Sequence, residues 1–106
     1  MINKDFFKKI RILDGGMGQE LLARGMKPNS TLWSANAILD ENYHQLVLDT
    51  HIDFIKAGAE IIVTTTFATR QKRLKENKLL DKFEYLNQKA GEIAQAAKRK
   101  FPNTYI

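Results

Sequence analysis

The sequence predicts an α/β fold with parallel strands, on three observations. Two short apolar, β-branched runs, Ile10 to Leu13 and Ala59 to Thr66, alternate with long stretches whose apolar residues recur every three or four positions. The connection between the runs is far longer than a hairpin needs, so the strands should be parallel neighbours joined by a right-handed crossover. A third run opens at Thr104-Tyr105-Ile106. The chain thus offers two strand-helix units and the first residues of a third. A parallel α/β domain usually has about five strands or more and a closed barrel about eight, so a truncated chain is expected.

Each element has its own signal. Asp5 to Lys9 reads as a short polar helix, and Ile10 to Leu13 as a buried strand stopped by the tight turn Asp14-Gly15-Gly16. Met17 to Arg24 has helical composition, with Gly25 where a left-handed C-terminal cap belongs. Lys27-Pro28-Asn29-Ser30 is loop, and Leu32-Trp33-Ser34-Ala35 a loop-helix junction. From Asp40, a good N-cap, Tyr43, Leu46, Val47, Thr50, Phe54 and Ile55 mark one face of a helix ending at Ala57-Gly58. Ala59 to Thr66 suits a strand buried on both faces. Phe83, Leu86, Ala90, Ile93, Ala94, Ala97 and Phe101 define a second long helix that stops before Pro102.

With 106 residues the chain is one domain at most, or part of one, and its core is small. It has no Cys, which excludes a disulfide framework and a thiolate metal site built from this chain alone. Its two histidines, His44 and His51, lie seven residues apart on one helix. That is about 10.5 Å along the axis, too far to share an ion, so both read as structural or exposed. No apolar run spans a bilayer, and MINKDFFKKI is charged where a secretory signal is apolar. The expectation is a soluble cytoplasmic chain without membrane partners.

The net charge of +5 is uneven, with 6 basic and 7 acidic residues in 1–53 against 11 and 5 in 54–106. Arg70, Lys72, Arg73, Lys75, Lys78 and Lys82 form a basic run that could meet phosphates, which keeps a small nucleic-acid-binding module as an alternative. No aromatic residue alternates with these charges as a stacking platform requires. A solvated helix and loop face is therefore favoured, and no nucleic-acid partner is expected.

In parallel α/β folds, ligands bind beyond the C-terminal strand ends, which points to Asp14-Gly15-Gly16 and Thr64-Thr65-Thr66. Asp14 can pair with an ammonium group, and bare glycine amides let a ligand carboxylate approach the backbone. Together they suit an amino acid; a fragment of an unrelated barrel enzyme using Asp14 on a phosphorylated sugar is the alternative. Asp14 also reads as a turn or cap aspartate, the threonines as ordinary strand formers, and Trp33 equally as pocket wall or satellite core. Gly15, Gly16 and Gly18 match neither the dinucleotide nor the P-loop fingerprint.

ILDGGMGQELLARG, then LWSA, then HIDFIKAGAEIIVTTTF, in this order and at these separations, resembles the N-terminal part of the homocysteine S-methyltransferase family. The resemblance runs from about Ile10 to Phe67. It implies the start of a (β/α)8 barrel. Residues 1–106 would be the N-terminal portion of a single homocysteine-binding domain, truncated near the start of strand 3. It further implies methyl transfer from an activated donor to the homocysteine thiol, forming methionine. The donor would be S-methylmethionine, S-adenosylmethionine, betaine or a methylated cofactor.

In that family a cysteine-held zinc lowers the thiol pKa. Its ligands lie in later strands, so this chain would carry no metal ligand or catalytic residue and be inactive alone. Asp14 and the backbone of Gly15 and Gly16 would receive the amino and carboxylate groups of homocysteine, and Thr64 would complete the site. Trp33 would lie near the donor, where an aromatic face stabilises a cation. Gln19 and Thr65 stand where family members commonly show Thr and Asn.

Overall fold

The computed structural model describes residues 2–106. Five α-helices carry the fold: α1 (Met17–Ala23), α2 (Asn36–Leu39), α3 (His44–Lys56), α4 (Gln71–Glu76) and α5 (Phe83–Lys100). Short 3₁₀ turns at Lys4–Lys8, Trp33–Ala35, Glu41–Tyr43 and Leu80–Lys82 link or precede them. The expected polar N-terminal helix is the first of these turns, capped by the Asn3 side chain. Asp40 caps the Glu41–Tyr43 turn through Asn42 N–H, and α3 continues from it. Among the described residues no helix is long and apolar enough to cross a membrane.

The expectation of an α/β fold, and with it a (β/α)8 barrel portion, is overturned: the chain is helical and the described residues contain no sheet. The three segments read as strands meet in two isolated parallel bridges, Leu13 with Ile61 and Ile61 with Tyr105. Side chains explain why the pairing stops there. Ile61 N–H donates to the Ile12 carbonyl and Asp14 N–H to the Ile61 carbonyl, as a parallel ladder requires. The next donor at one end, Val63 N–H, goes instead to Asp14 Oδ2 at 3.0 Å. At the other end Ile12 N–H goes to Glu60 Oε2 at 2.9 Å, and Arg11 holds that carboxylate from 3.1 Å. Two carboxylates thus take the amides that a longer ladder would use.

Burial follows the same correction. Ile10 is 93% exposed and Val63 55%, so neither run is a buried strand over its length, although Ile62 is fully enclosed.

The main core lies between helices. Leu21, Ile38, Val47, Leu74, Leu86 and Ala90 bring all five helices to one cluster. A second cluster joins Ile52 of α3 and Ala94 and Ala97 of α5 to Ile62. Asn87 of α5 fastens the loop that leads into α4: its side chain accepts from Thr69 Oγ1 at 2.8 Å and donates to the Thr69 carbonyl at 3.1 Å.

Three helices end on the same motif. After α1, Met26 N–H reaches the Leu21 carbonyl and Gly25 N–H the Leu22 carbonyl, with Gly25 at φ +104°. Gly58 closes α3 in the same way at φ +118°. These are Schellman caps, in which a left-handed residue lets two orphan carbonyls be satisfied. In α4 the left-handed place is held by Lys78 at φ +58°, between Lys78 N–H to Lys75 O and Leu79 N–H to Leu74 O. A side chain is strained there, so Lys78→Gly is expected to raise stability by about 0.5 to 1 kcal/mol, read as an increased urea midpoint.

Candidate functional site

The turn after the first bridge and the loop after the second segment face each other across a cavity of about 610 Å³. Asp14, Gly15, Gly16, Trp33 and Thr64, the five residues singled out in the sequence, all line it. Leu22, Met26, Val63 and Phe67 supply apolar wall.

Backbone pairing positions Asp14, whose own N–H is bound to Ile61 and whose Oδ2 accepts from Val63. Burial pushes its carboxyl up from the ordinary value, opposed by the hydrogen bonds from Val63 N–H and its own amide. Asp14 forms no ion pair among the described residues, unlike Glu20, Asp53 and Glu60. A half-buried carboxylate without a cationic partner is a place where an ammonium group gains most.

Gly15 lies close to the Phe54 ring, which a larger residue there would have to displace. A Cβ there would come within 2.9 Å of Phe54 Cε1, because the Phe54 ring of α3 lies against the turn. At Gly16 the nearest atom to such a Cβ would be Gln19 Cβ at 3.9 Å, so packing does not demand glycine. Thr64 and Thr66 share a hydroxyl contact of 3.0 Å, whereas Thr65 Oγ1 is buried with no partner among the described residues.

Trp33 has an unusual backbone. Asn29 builds the approach: its Oδ1 accepts from Thr31 N–H and Leu32 N–H, and its carbonyl from Trp33 N–H at 2.9 Å. The indole N–H then donates to the Ser30 carbonyl at 3.0 Å. Trp33 takes φ +52°, which for a bulky residue costs roughly 1 to 3 kcal/mol and persists only where surroundings hold it.

Its ring is nearly parallel to Phe67, at 6.3 Å between centroids. Arg73 of α4 lies 4.5 Å over the indole, and Arg70 lies 5.1 Å over Phe67. The resemblance implies a cationic donor near Trp33; in the structure, a guanidinium of the same chain lies over that ring. The basic run is therefore divided: Arg70 and Arg73 stack on cavity-wall aromatics, while Lys72, Lys75, Lys78 and Lys82 remain exposed. Sequence reading missed Phe67 and Arg73. Phe67 directly follows the threonines and was available as a signal, but Arg73 reaches Trp33 only through the docking of α4.

The histidines stand apart from the cavity lining. His44 Nε2 lies 2.7 Å from the Ile38 carbonyl, and His51 is fully buried in α3 with neither ring nitrogen partnered among the described residues. Among the described residues no three His, Cys, Asp or Glu side chains gather to hold a metal. The donor set of this chain, without Cys and with these two histidines, does not fit the zinc that the resemblance implies.

The chain is similar to proteins of one kind. The family model described as homocysteine S-methyltransferase matches residues 11–105. Homocysteine S-methyltransferase 2 of Saccharomyces cerevisiae is 38% identical over 66% of this chain and 24% of its own length. Homocysteine S-methyltransferase 2 of Zea mays is 37% identical over 90% of this chain and 28% of its own. Selenocysteine Se-methyltransferase of Brassica oleracea is 35% identical over 85% and 26%. The chain thus spans about a quarter of the length of these relatives. No solved structure matches it. With the match covering nearly every residue, the chain belongs to the homocysteine S-methyltransferase family.

Proposed function

We propose that this chain supplies amino-acid-binding residues to a homocysteine S-methyltransferase, an enzyme that moves a methyl group from an activated donor to the homocysteine thiol and forms methionine. Residues 1–106 belong in this reading to a single homocysteine-binding domain. The observation that supports it most is Asp14: a half-buried carboxylate without an ion-pair partner, lining one cavity with the glycines and Thr64.

Asp14 receives the substrate ammonium, which replaces the solvation that burial removes. The amides of Gly15 and Gly16 meet the substrate carboxylate, with no Cβ to hold it away. Thr64 adds a hydroxyl at the same end of the cavity. Trp33 stands on the donor side, where the donor is a sulfonium, a quaternary ammonium or a methylated cofactor. Apolar wall from Leu22, Met26 and Phe67 suits the substrate's methylene chain.

Asp14→Asn tests the reading. In the complete enzyme it is expected to weaken homocysteine binding by about 1 to 3 kcal/mol, the scale of a lost charge-assisted hydrogen bond, with a thermal midpoint close to that of the parent. Calorimetric titration beside a melting curve separates the cases. Collapse of stability with intact affinity would make Asp14 a turn residue only.

A further inference from the structure

We infer that Arg73 is a positioning residue that holds Trp33 in its left-handed conformation as a wall of the cavity. Trp33 is half-exposed, so enclosure alone does not fix its ring. Beside the Ser30 bond and the Phe67 ring, Arg73 makes two independent contacts. The guanidinium lies 4.5 Å over the indole, and Arg73 Nη1 donates to the Thr31 carbonyl at 2.7 Å, two residues before Trp33.

Arg73 thereby grips both the ring and the strand of loop that carries it. Its Nε is buried without a partner, so the hold rests on Nη1 and the ring face. The grip is anchored at the far side: Leu74, the next residue of α4, is fully buried in the main core. A planar, permanently charged group can stack and donate sideways at once, which an ammonium cannot. The other hydrogen bonds of the chain between Asn29 and Trp33 are local, from Asn29 Oδ1, the Asn29 carbonyl and the Ser30 carbonyl, while Leu32 packs in an apolar cluster with Ala35 and Ala68. Arg73 adds a long-range hydrogen bond that ties this loop to α4.

The consequence for ligand binding rests on reading the cavity as the substrate site; the grip itself does not. Trp33 is the only tryptophan of the chain, so its fluorescence reports the grip directly. Arg73→Met is expected to shift the emission maximum and to raise acrylamide quenching about twofold, with helical circular dichroism retained. Arg73→Lys should restore only part of the parent signal, because it keeps the charge and loses the planar fork. Should Arg73→Met lose its helical signal, Arg73→Gln decides the matter, since it keeps a donor for Thr31 without the stacking cation. Parent-like emission and quenching in the folded variant would overturn the proposal.

A parallel titration with S-methylmethionine and homocysteine tests the consequence. Affinity for the sulfonium should fall about tenfold in Arg73→Met, and for homocysteine less than twofold. If the parent binds neither compound, the cavity reading fails while the fluorescence result still decides the role of Arg73.

Discussion

Acidification from pH 7 to pH 4 is expected to remove about 3 kcal/mol of folding stability through His51 alone. This histidine is fully buried in α3, and burial lowers its pKa from 6.5 to about 4. In the unfolded chain the imidazole binds its proton below about pH 6.5, whereas in the folded chain it stays neutral down to about 4. The unfolded state therefore holds more protons across this window. Its contribution is complete above the unfolded value and is lost as the pH falls through the window. Urea denaturation at pH 7, 5.5 and 4.5 measures the slope. His51→Leu should flatten it, and at pH 7 the variant should match or exceed the parent, because the buried imidazole N–H has no acceptor to lose. An unchanged slope in His51→Leu would place the acid sensitivity elsewhere.

Leu86→Ala should cost about 2 to 5 kcal/mol. Leu86 is fully enclosed in the cluster where α5 meets the other four helices, and its loss leaves a cavity that several helices would have to move to close. Against a usual domain stability of about 5 to 15 kcal/mol, this is enough to bring the chain close to unfolding at moderate temperature. The urea midpoint should fall with little change in the slope. Ile10→Ala serves as the contrast. At 93% exposure Ile10 has almost no burial to lose, so its removal should stay within about 0.5 kcal/mol. A large loss at Ile10 would mean that its segment is packed after all.

Helices α1, α3 and α5 were legible because their signals are local, whereas α2 and α4 are too short to show a period. Periodic apolar residues marked α3 and α5, and Gly25 and Gly58 marked two of the caps. The third cap was not readable, since nothing in a lysine announces a left-handed backbone at Lys78. The segments read as strands failed for a different reason. β-branched composition states what a backbone tolerates, whereas a sheet needs several successive amides to find carbonyls. Here Glu60 and Asp14 intercept those amides, a contest between groups 48 and 49 residues apart that no window of sequence displays. The candidate site was more accessible, because Asp14, Gly15, Gly16 and Thr64 sit at the ends of recognisable runs. Arg73 was hidden within a basic stretch whose members look alike until α4 is docked.

The bond from Val63 N–H to Asp14 Oδ2 places two tasks on one carboxylate. The oxygen that halts the pairing of two chain segments belongs to the residue that lines the cavity. In the proposed function, a ligand ammonium at Asp14 would meet the same carboxylate that holds Val63 N–H in the neighbouring segment.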